Sequence, residues 1–300
     1  MSKQISELIK VIRSAHFSEE FNQTSVPYMT VYHFTDDIIK MPQIDTSYIY
    51  LIVDGSMRLY TPSGIMDYIA GQYSVSKIDT PLSGKVLTFS EKADFLALSI
   101  EFTFDDVISV VLDIEGDLIE KIMNSKLSDE ITTSADRNII ETITKLFVIN
   151  NSYQLAFMAN HLKREIIFYV LCSSCGKSFL QGIINISQSD EIYEANSWIK
   201  KNFKENFTIE ELAKKRNMSV SNFHQKFKNA VGMGPLQCQK RLRLTEARRL
   251  MLDKNVNVTD ASLEVGYESL SQFIRDYKRI FGVSPKTDVQ NLKKQLRLKI

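Results

Sequence analysis

Polar side chains able to read nucleic acid recur in this sequence at a fixed interval. Gln225 and Arg275 stand fifty residues apart, as do Ser221 and Ser271, and Lys228 and Lys278. Glutamine and arginine can form paired hydrogen bonds with base edges, while lysine and serine suit phosphate oxygens. The interval extends to the residues around them: Ser219, Phe223, Phe227, Gly232 and Pro235 recur as Ser269, Phe273, Tyr277, Gly282 and Pro285. A constant offset over so many positions marks two copies of one structural unit.

The elements that must hold these side chains follow from local signals. Thr208-Ile209-Glu210-Glu211 predicts a capping box that opens a short helix to about Arg216. After a tight turn, Ser219 caps a second helix to about Val231, which Gly232 ends. The second copy opens at Asn257, runs through Ala261 and turns at Gly266-Tyr267. Ser269 and Gln272 then predict a second capping box, with Gly282 as terminator. Two short helices with a tight turn make a helix-turn-helix unit. At about 100° per residue, Phe223, Phe227 and Ala230 face inward in one copy, as do Phe273, Tyr277 and Ile280 in the other. Ser221, Gln225 and Lys228 face outward, as do Ser271, Arg275 and Lys278, with His224 and Ile274 at the margins.

Between the copies, Pro235 suits a first helical position, and the run to about Leu252 predicts one continuous helix. At 1.5 Å per residue it spans roughly 25 Å, a spacer able to set two recognition helices about one turn of B-DNA apart. Its Lys240, Arg241, Arg243, Arg248 and Arg249 are expected to add positive charge.

These stretches resemble the AraC/XylS-type DNA-binding domain. The matching residues are Phe207 to Ala213, Met218 to Phe223, Lys240 to Leu250, and above all Val265-Gly266-Tyr267-Glu268-Ser269-Leu270-Ser271-Gln272-Phe273 with Tyr277 to Gly282. Ser262 stands where the family usually has a small alanine. The resemblance covers about one third of the chain. It implies double-stranded DNA as partner, with Ser221, His224, Gln225, Leu270, Ser271, Ile274 and Arg275 reading bases in adjacent major grooves. Ser219, Asn222, Lys228, Ser269, Lys278 and Arg279 are the expected phosphate contacts.

The front of the chain has a different grammar. From about 26 to 104 it reads as short strands: Tyr48 to Val53, an Asp54-Gly55 turn and Met57 to Tyr60 form a hairpin signal. Pro62-Ser63-Gly64, Ala70-Gly71 and Pro81-Leu82-Ser83-Gly84 punctuate the strands that follow, as in a small sandwich or barrel. The aromatic residues Tyr48, Tyr50, Tyr60, Tyr68, Tyr73, Phe89 and Phe95 are expected mostly in its core. From about 105 to 171 the period becomes helical, as in Leu155, Met158, Leu162, Ile166 and Tyr169. Residues 179–189 read as a linker. This front region resembles the cupin-like sensor domains attached to some family members, which implies a small-molecule effector and dimerisation through the helices of 105–171.

The expected architecture is therefore α+β multidomain. A cupin-like sensing and dimerisation domain occupies 1–189. An all-α DNA-binding domain occupies 190–290, with helix-turn-helix units at 208–231 and 257–281 joined by a helix at 235–252. A basic tail occupies 291–300. Charge follows the same division. The chain carries +1 overall, but residues 191–300 hold 22 Lys/Arg against 12 Asp/Glu, a net +10, which leaves −9 for the front. Asymmetry of this kind points to nucleic acid, and the acidic front is expected to lie away from DNA.

Three cysteines make no disulfide framework, and Cys172 and Cys175 lack the second pair a zinc site needs. His16, His33 and His161 show no metal-ligand spacing, so no metal, cofactor or catalytic residue is expected. No stretch reaches the roughly 18 apolar residues of a membrane span, so a soluble cytoplasmic regulator, with RNA polymerase as a further partner, is the expectation. Two alternatives remain: a metal-dependent cupin enzyme with a DNA-binding tail, and a ligand-independent DNA-binding dimer. The residues do not separate activation from repression.

Overall fold

A helix opens the described residues, α1 (Lys3–Ser14), and among them nine strands follow: β1 (Glu20–Gln23), β2 (Met29–Phe34), β3 (Ile38–Lys40), β4 (Ser47–Asp54), β5 (Ser56–Thr61), β6 (Gly64–Ile69), β7 (Gln72–Val75), β8 (Ser83–Thr88) and β9 (Phe95–Phe102). Next come α2 (Phe104–Asp113), α3 (Gly116–Asn124), the short β10 (Thr132–Ser134), α4 (Arg137–Val148), α5 (Ser152–Cys172) and α6 (Gly176–Ser187). The rest is helical: α7 (Asp190–Lys201), α8 (Ile209–Lys215), α9 (Val220–Val231), α10 (Pro235–Asp253), α11 (Val258–Glu264), α12 (Leu270–Phe281) and α13 (Pro285–Arg297). This computed structural model describes residues 3–18, 20–36, 38–40, 47–61, 64–75, 83–125, 132–149, 151–187, 190–231 and 233–297. The expected turn residues Pro62, Ser63, Pro81 and Leu82, the terminator Gly232 and the last three residues of the expected tail lie outside them.

Two compact units form, Met1–Leu59 with Asp67–Gln188, and Ser189–Ile300 with Tyr60–Met66. In the first, a six-stranded sheet has the order β1-β2-β9-β4-β7-β10 and a four-stranded sheet the order β3-β8-β5-β6. Strand β4 pairs with β9 and β7 at its two edges and is buried on both faces, which explains its unbroken apolar run. Ile49, Leu51 and Val53 share one core with Leu98 and Ile100 of β9 and with Ile143, Ile166 and Phe179 of the helices. The alternate residues Tyr48, Tyr50 and Ile52 fill the opposite face and are equally buried. Arg13, at the end of α1, reaches Asp94 at 2.7 Å and Asp54 at 3.1 Å. That ion pair fastens the amphipathic helix across the sheet, beside its buried Ile5, Leu8 and Ile12.

Four features depart from the sequence expectation. The segment 179–189 is not a linker: α6 runs to Ser187, and Phe179, Leu180 and Ile183 are core residues. Phe179, Leu180 and Ile183 keep helical spacing there, so composition misleads where periodicity does not. Strands begin before residue 26, with β1, and recur inside the expected helical stretch as β10, which adds three residues to the edge of β7. So short a strand carries no alternation to read. Phe89 is exposed, unlike the other six aromatics named for the front core. Residues 291–297 continue α13, and Asp288 and Val289 of that helix pack into the second unit, so the expected tail is largely helix.

Among the described residues no single helix is long and apolar enough to cross a membrane. Helices α5 and α6 meet the length and composition test only as a pair bent by 115°. Their apolar residues, Ile166, Ile167, Phe179 and Leu180 among them, are buried in the first unit's core.

Candidate nucleic-acid interface

Each helix-turn-helix unit closes its own small core against one face of α10. Phe223 and Phe227 of α9 pack with Ile192, Leu212 and Cys238. Phe273 and Tyr277 of α12 pack with Leu244, Ala247, Leu250 and Val265. Cys238 lies near the start of α10 and Leu244, Ala247 and Leu250 further along it, so the 19-residue helix offers a separate stretch to each unit.

The capping chemistry fixes where the recognition helices start. Thr208 accepts from the Glu211 amide at 3.2 Å, and the Glu211 carboxylate accepts from the Thr208 amide at 2.9 Å, completing the box. Ser219 accepts from the Asn222 amide, and Asn257 from the Asp260 amide. At α12 the expected box is only half formed. Ser269 accepts from the Gln272 amide at 3.3 Å, but the Gln272 side chain turns along the helix to Asp276 instead of back to the cap. The Gln272 Oε1, the atom the box would use, instead accepts from the charged Arg275 guanidinium at 2.8 Å, a stronger donor than a backbone amide. Ser262, the departure from alanine, is buried and donates its hydroxyl to the Thr259 carbonyl at 2.7 Å, so the extra polar atom costs little.

The expected base readers Ser221, His224, Gln225, Leu270, Ser271, Ile274 and Arg275 are all exposed, on the sides of α9 and α12 away from the cores. Gln225 donates to Asn229 at 3.1 Å, and Arg275 donates to Gln272 at 2.8 Å. His224 leans on the end of its own unit: a Cβ on Gly234 would come within 2.9 Å of its Nε2. Ser219, Asn222, Lys228, Ser269, Lys278 and Arg279, the expected phosphate contacts, are exposed as well. Of these, Arg279 pairs with Asp276 at 2.9 Å.

Three of the five cations expected on the spacer point the other way. Arg243 is buried and donates to the carbonyls of Phe203 at 2.6 Å, Gly266 at 2.8 Å, and Lys204 and Glu205 at 3.0 Å, and to the Asn206 side chain at 3.2 Å. The Phe203–Asn206 loop leads into α8, and Gly266 is the turn before α12, so one guanidinium ties the two helix-turn-helix units together. Gly266 permits this approach: its φ is +87°, and a Cβ would sit 2.1 Å from the Lys204 carbonyl oxygen. Arg248 grips Asp288 through two bonds, at 2.7 and 2.9 Å, under the Phe281 ring. Arg249 grips Glu246. These arginines sit on the inner stripe of a helix whose polar residues are not confined to one side, so residue type alone misassigns them. The signal available was position: Arg243 lies four residues from both Gln239 and Ala247, which are also buried.

Sequence reasoning also missed Asp276. Its carboxylate is 3% exposed and receives Gln272 at 3.0 Å, Lys240 at 3.1 Å and Arg279 at 2.9 Å, with the Tyr267 hydroxyl at 3.4 Å. Burial opposes its ionisation, but the bonds from Gln272 and Lys240 and the charges of Lys240 and Arg279 outweigh that and hold it below the usual carboxylate range.

In the first unit, the Tyr32 hydroxyl and the Ser99 hydroxyl are 3.1 Å apart, and the Tyr50 ring lies 5.3 Å from Tyr32. The Tyr50 hydroxyl is buried without a hydrogen-bond partner among the described residues, and burial raises its pKa well above the ordinary value. Cys172 is exposed, with its thiol pushed up by partial burial. Cys175 is buried beside Ser173 and Tyr73. No group of three or more His, Cys, Asp or Glu placed to hold a metal ion occurs among the described residues.

The profile of the AraC-type transcriptional regulator N-terminus matches residues 25–178, just over half of the chain, and a helix-turn-helix domain profile matches 212–291. The chain belongs to the AraC-type transcriptional regulators. Among curated members of this group, the HTH-type transcriptional activator RhaS of Escherichia fergusonii is 28% identical over 151 residues, 50% of this chain and 52% of that protein. The virulence regulon transcriptional activator VirF of Yersinia enterocolitica is 24% identical over 121 residues, 40% of this chain and 44% of that protein. The chain spans about half the length of the curated relatives it matches. Among solved structures, unsaturated fatty acid bound ToxT from Vibrio cholerae is 15% identical, covering 87% of this chain and 94% of its own, with a TM-score of 0.46.

Proposed function

We propose that this AraC-type regulator binds a specific double-stranded DNA site through α9 and α12 and activates transcription under control of a small-molecule effector. The observation that carries this reading is the pinning of two capped helix-turn-helix units by the buried Arg243, each unit with an exposed polar face. A fixed pair of recognition helices suits two adjacent major grooves. Ser221, His224 and Gln225 read one groove, and Leu270, Ser271, Ile274 and Arg275 the other. Leu270 and Ile274 suit thymine methyl groups, and Arg275 a guanine edge. Lys228, Lys278 and Arg279 meet phosphates, with Ser219, Asn222 and Ser269 beside them at the helix starts.

The DNA-binding domain begins near residue 190, and the front domain senses. Activation is the role of the transcriptional activators RhaS and VirF, which this chain resembles. A second copy of the chain binds through α5, where Tyr153 and Phe157 are 87% and 71% exposed. RNA polymerase is the further partner, the cytoplasm is the compartment, and the role is regulatory and not catalytic.

In vitro selection from random duplexes with the full chain tests the reading. The expected result is enrichment of one motif with two half-sites, weakened at one half by Gln225→Ala and at the other by Arg275→Ala. Recovery of no motif overturns it.

A further inference from the structure

We propose that Asp276 is a positioning residue for base reading: through Gln272 it fixes the direction in which Arg275 presents its guanidinium. The inference rests on the proposed role of Arg275 and deepens it. An ionised carboxylate only accepts hydrogen bonds, and a guanidinium only donates them. A glutamine amide between the two therefore has one workable orientation. Its nitrogen must face Asp276, as it does at 3.0 Å, and its oxygen must then face Arg275, as it does at 2.8 Å. The flipped amide would set oxygen against carboxylate and nitrogen against guanidinium, with both contacts repulsive.

The anchor of this relay does not move with the surface. Asp276 is held by Lys240 of α10 at 3.1 Å, by Tyr267 of the preceding turn at 3.4 Å and by Arg279 at 2.9 Å. Arg275 itself is exposed and has no other hydrogen-bond partner among the described residues. A long, exposed arginine samples many rotamers, and a bidentate base contact needs its planar fork in one of them. The relay connects that fork to the spacer helix through three side chains. Asparagine at 276 keeps the shape but can donate as well as accept, so the Gln272 amide is no longer obliged to face one way.

The test uses the full chain and the selected duplex. The base pair at which Arg275→Ala relaxes preference is assigned to Arg275, and the one relaxed by Gln225→Ala serves as control. For each protein the readout is the ratio of affinities for the selected duplex and for the duplex changed at that base pair. Asp276→Asn and, as a variant less exposed to folding failure, Gln272→Met should each lower the Arg275 ratio about tenfold, the size of a good base contact. The control ratio should stay within about twofold. In an Arg275→Ala background, Asp276→Asn should change the ratio no further. A ratio preserved in both variants, or a uniform loss of affinity across all duplexes, overturns the inference alone. If Arg275→Ala relaxes no base pair, the base-reading role of Arg275 falls, and the positioning role falls with it.

Discussion

Replacing Arg243 by lysine should unfold the DNA-binding unit more readily than any exchange of one surface cation for another. The guanidinium makes five hydrogen bonds, four of them to backbone carbonyls in two separate loops. An ammonium has no planar fork and can retain one or two of these. About three bonds are lost at about 0.5–1.5 kcal/mol each, and part of the web reaches water, which lets some carbonyls recover partners. The expected loss is about 2–4 kcal/mol. The single tryptophan of the chain, Trp198, reports on this unit alone: it lies in α7 with its ring 5.5 Å from Phe207. Urea unfolding followed by its fluorescence should show the midpoint moving down by about 1–2 M, given m values of about 1–3 kcal/mol/M. Below the transition, the salt dependence of DNA binding should be that of the parent, because Arg243 faces inward. A loss under about 1 kcal/mol would refute the pinning argument. So would a reduced salt slope with unchanged stability, which would put the guanidinium on phosphate.

At the selected site, Arg275→Ala should cost about 1–3 kcal/mol with relaxed preference at one position, and Lys278→Ala should lower the salt slope by about one in binding titrations. Asp288→Ala strands the buried Arg248 cation and removes the acceptor of the Tyr277 hydroxyl, so a loss of about 3–5 kcal/mol is expected. Arg248→Met with Asp288→Leu should restore most of it in a double-mutant cycle, and purely additive losses would contradict the ion-pair account. Burial works against the Asp106 carboxylate, but hydrogen bonds from Lys163 and Thr103 win and lower its pKa in the folded state. Its stabilisation is therefore complete above the unfolded value of about 3.9 and fades as pH falls through the lower folded value. Thermal melts of Asp106→Asn and the parent should differ near pH 7 and converge toward pH 2–3; a gap independent of pH would exclude the linkage.

Much of this was decided by sequence alone. The fifty-residue repeat, the caps at Thr208, Ser219, Asn257 and Ser269, and the apolar spacing of α9 and α12 are local properties, set by helix geometry and by the unpaired amides at helix starts. They fix which side chains face away from the cores, and hence the outward polar set. The unbroken apolar run of β4 between turn signals is likewise a local property. Charge and composition, by contrast, say nothing about direction. Only the packed chain decided that Arg243 and Arg248 look inward to carbonyls and a carboxylate, that Phe179, Leu180 and Ile183 form a buried apolar stripe, and that Asp276 lies on the buried side of its own recognition helix. Each depends on a partner from another element: Gly266 for Arg243, Asp288 for Arg248, the first unit's core for Phe179, Lys240 for Asp276. A buried charge is tolerated only where such partners converge, and convergence is a property of three dimensions that no window of sequence contains.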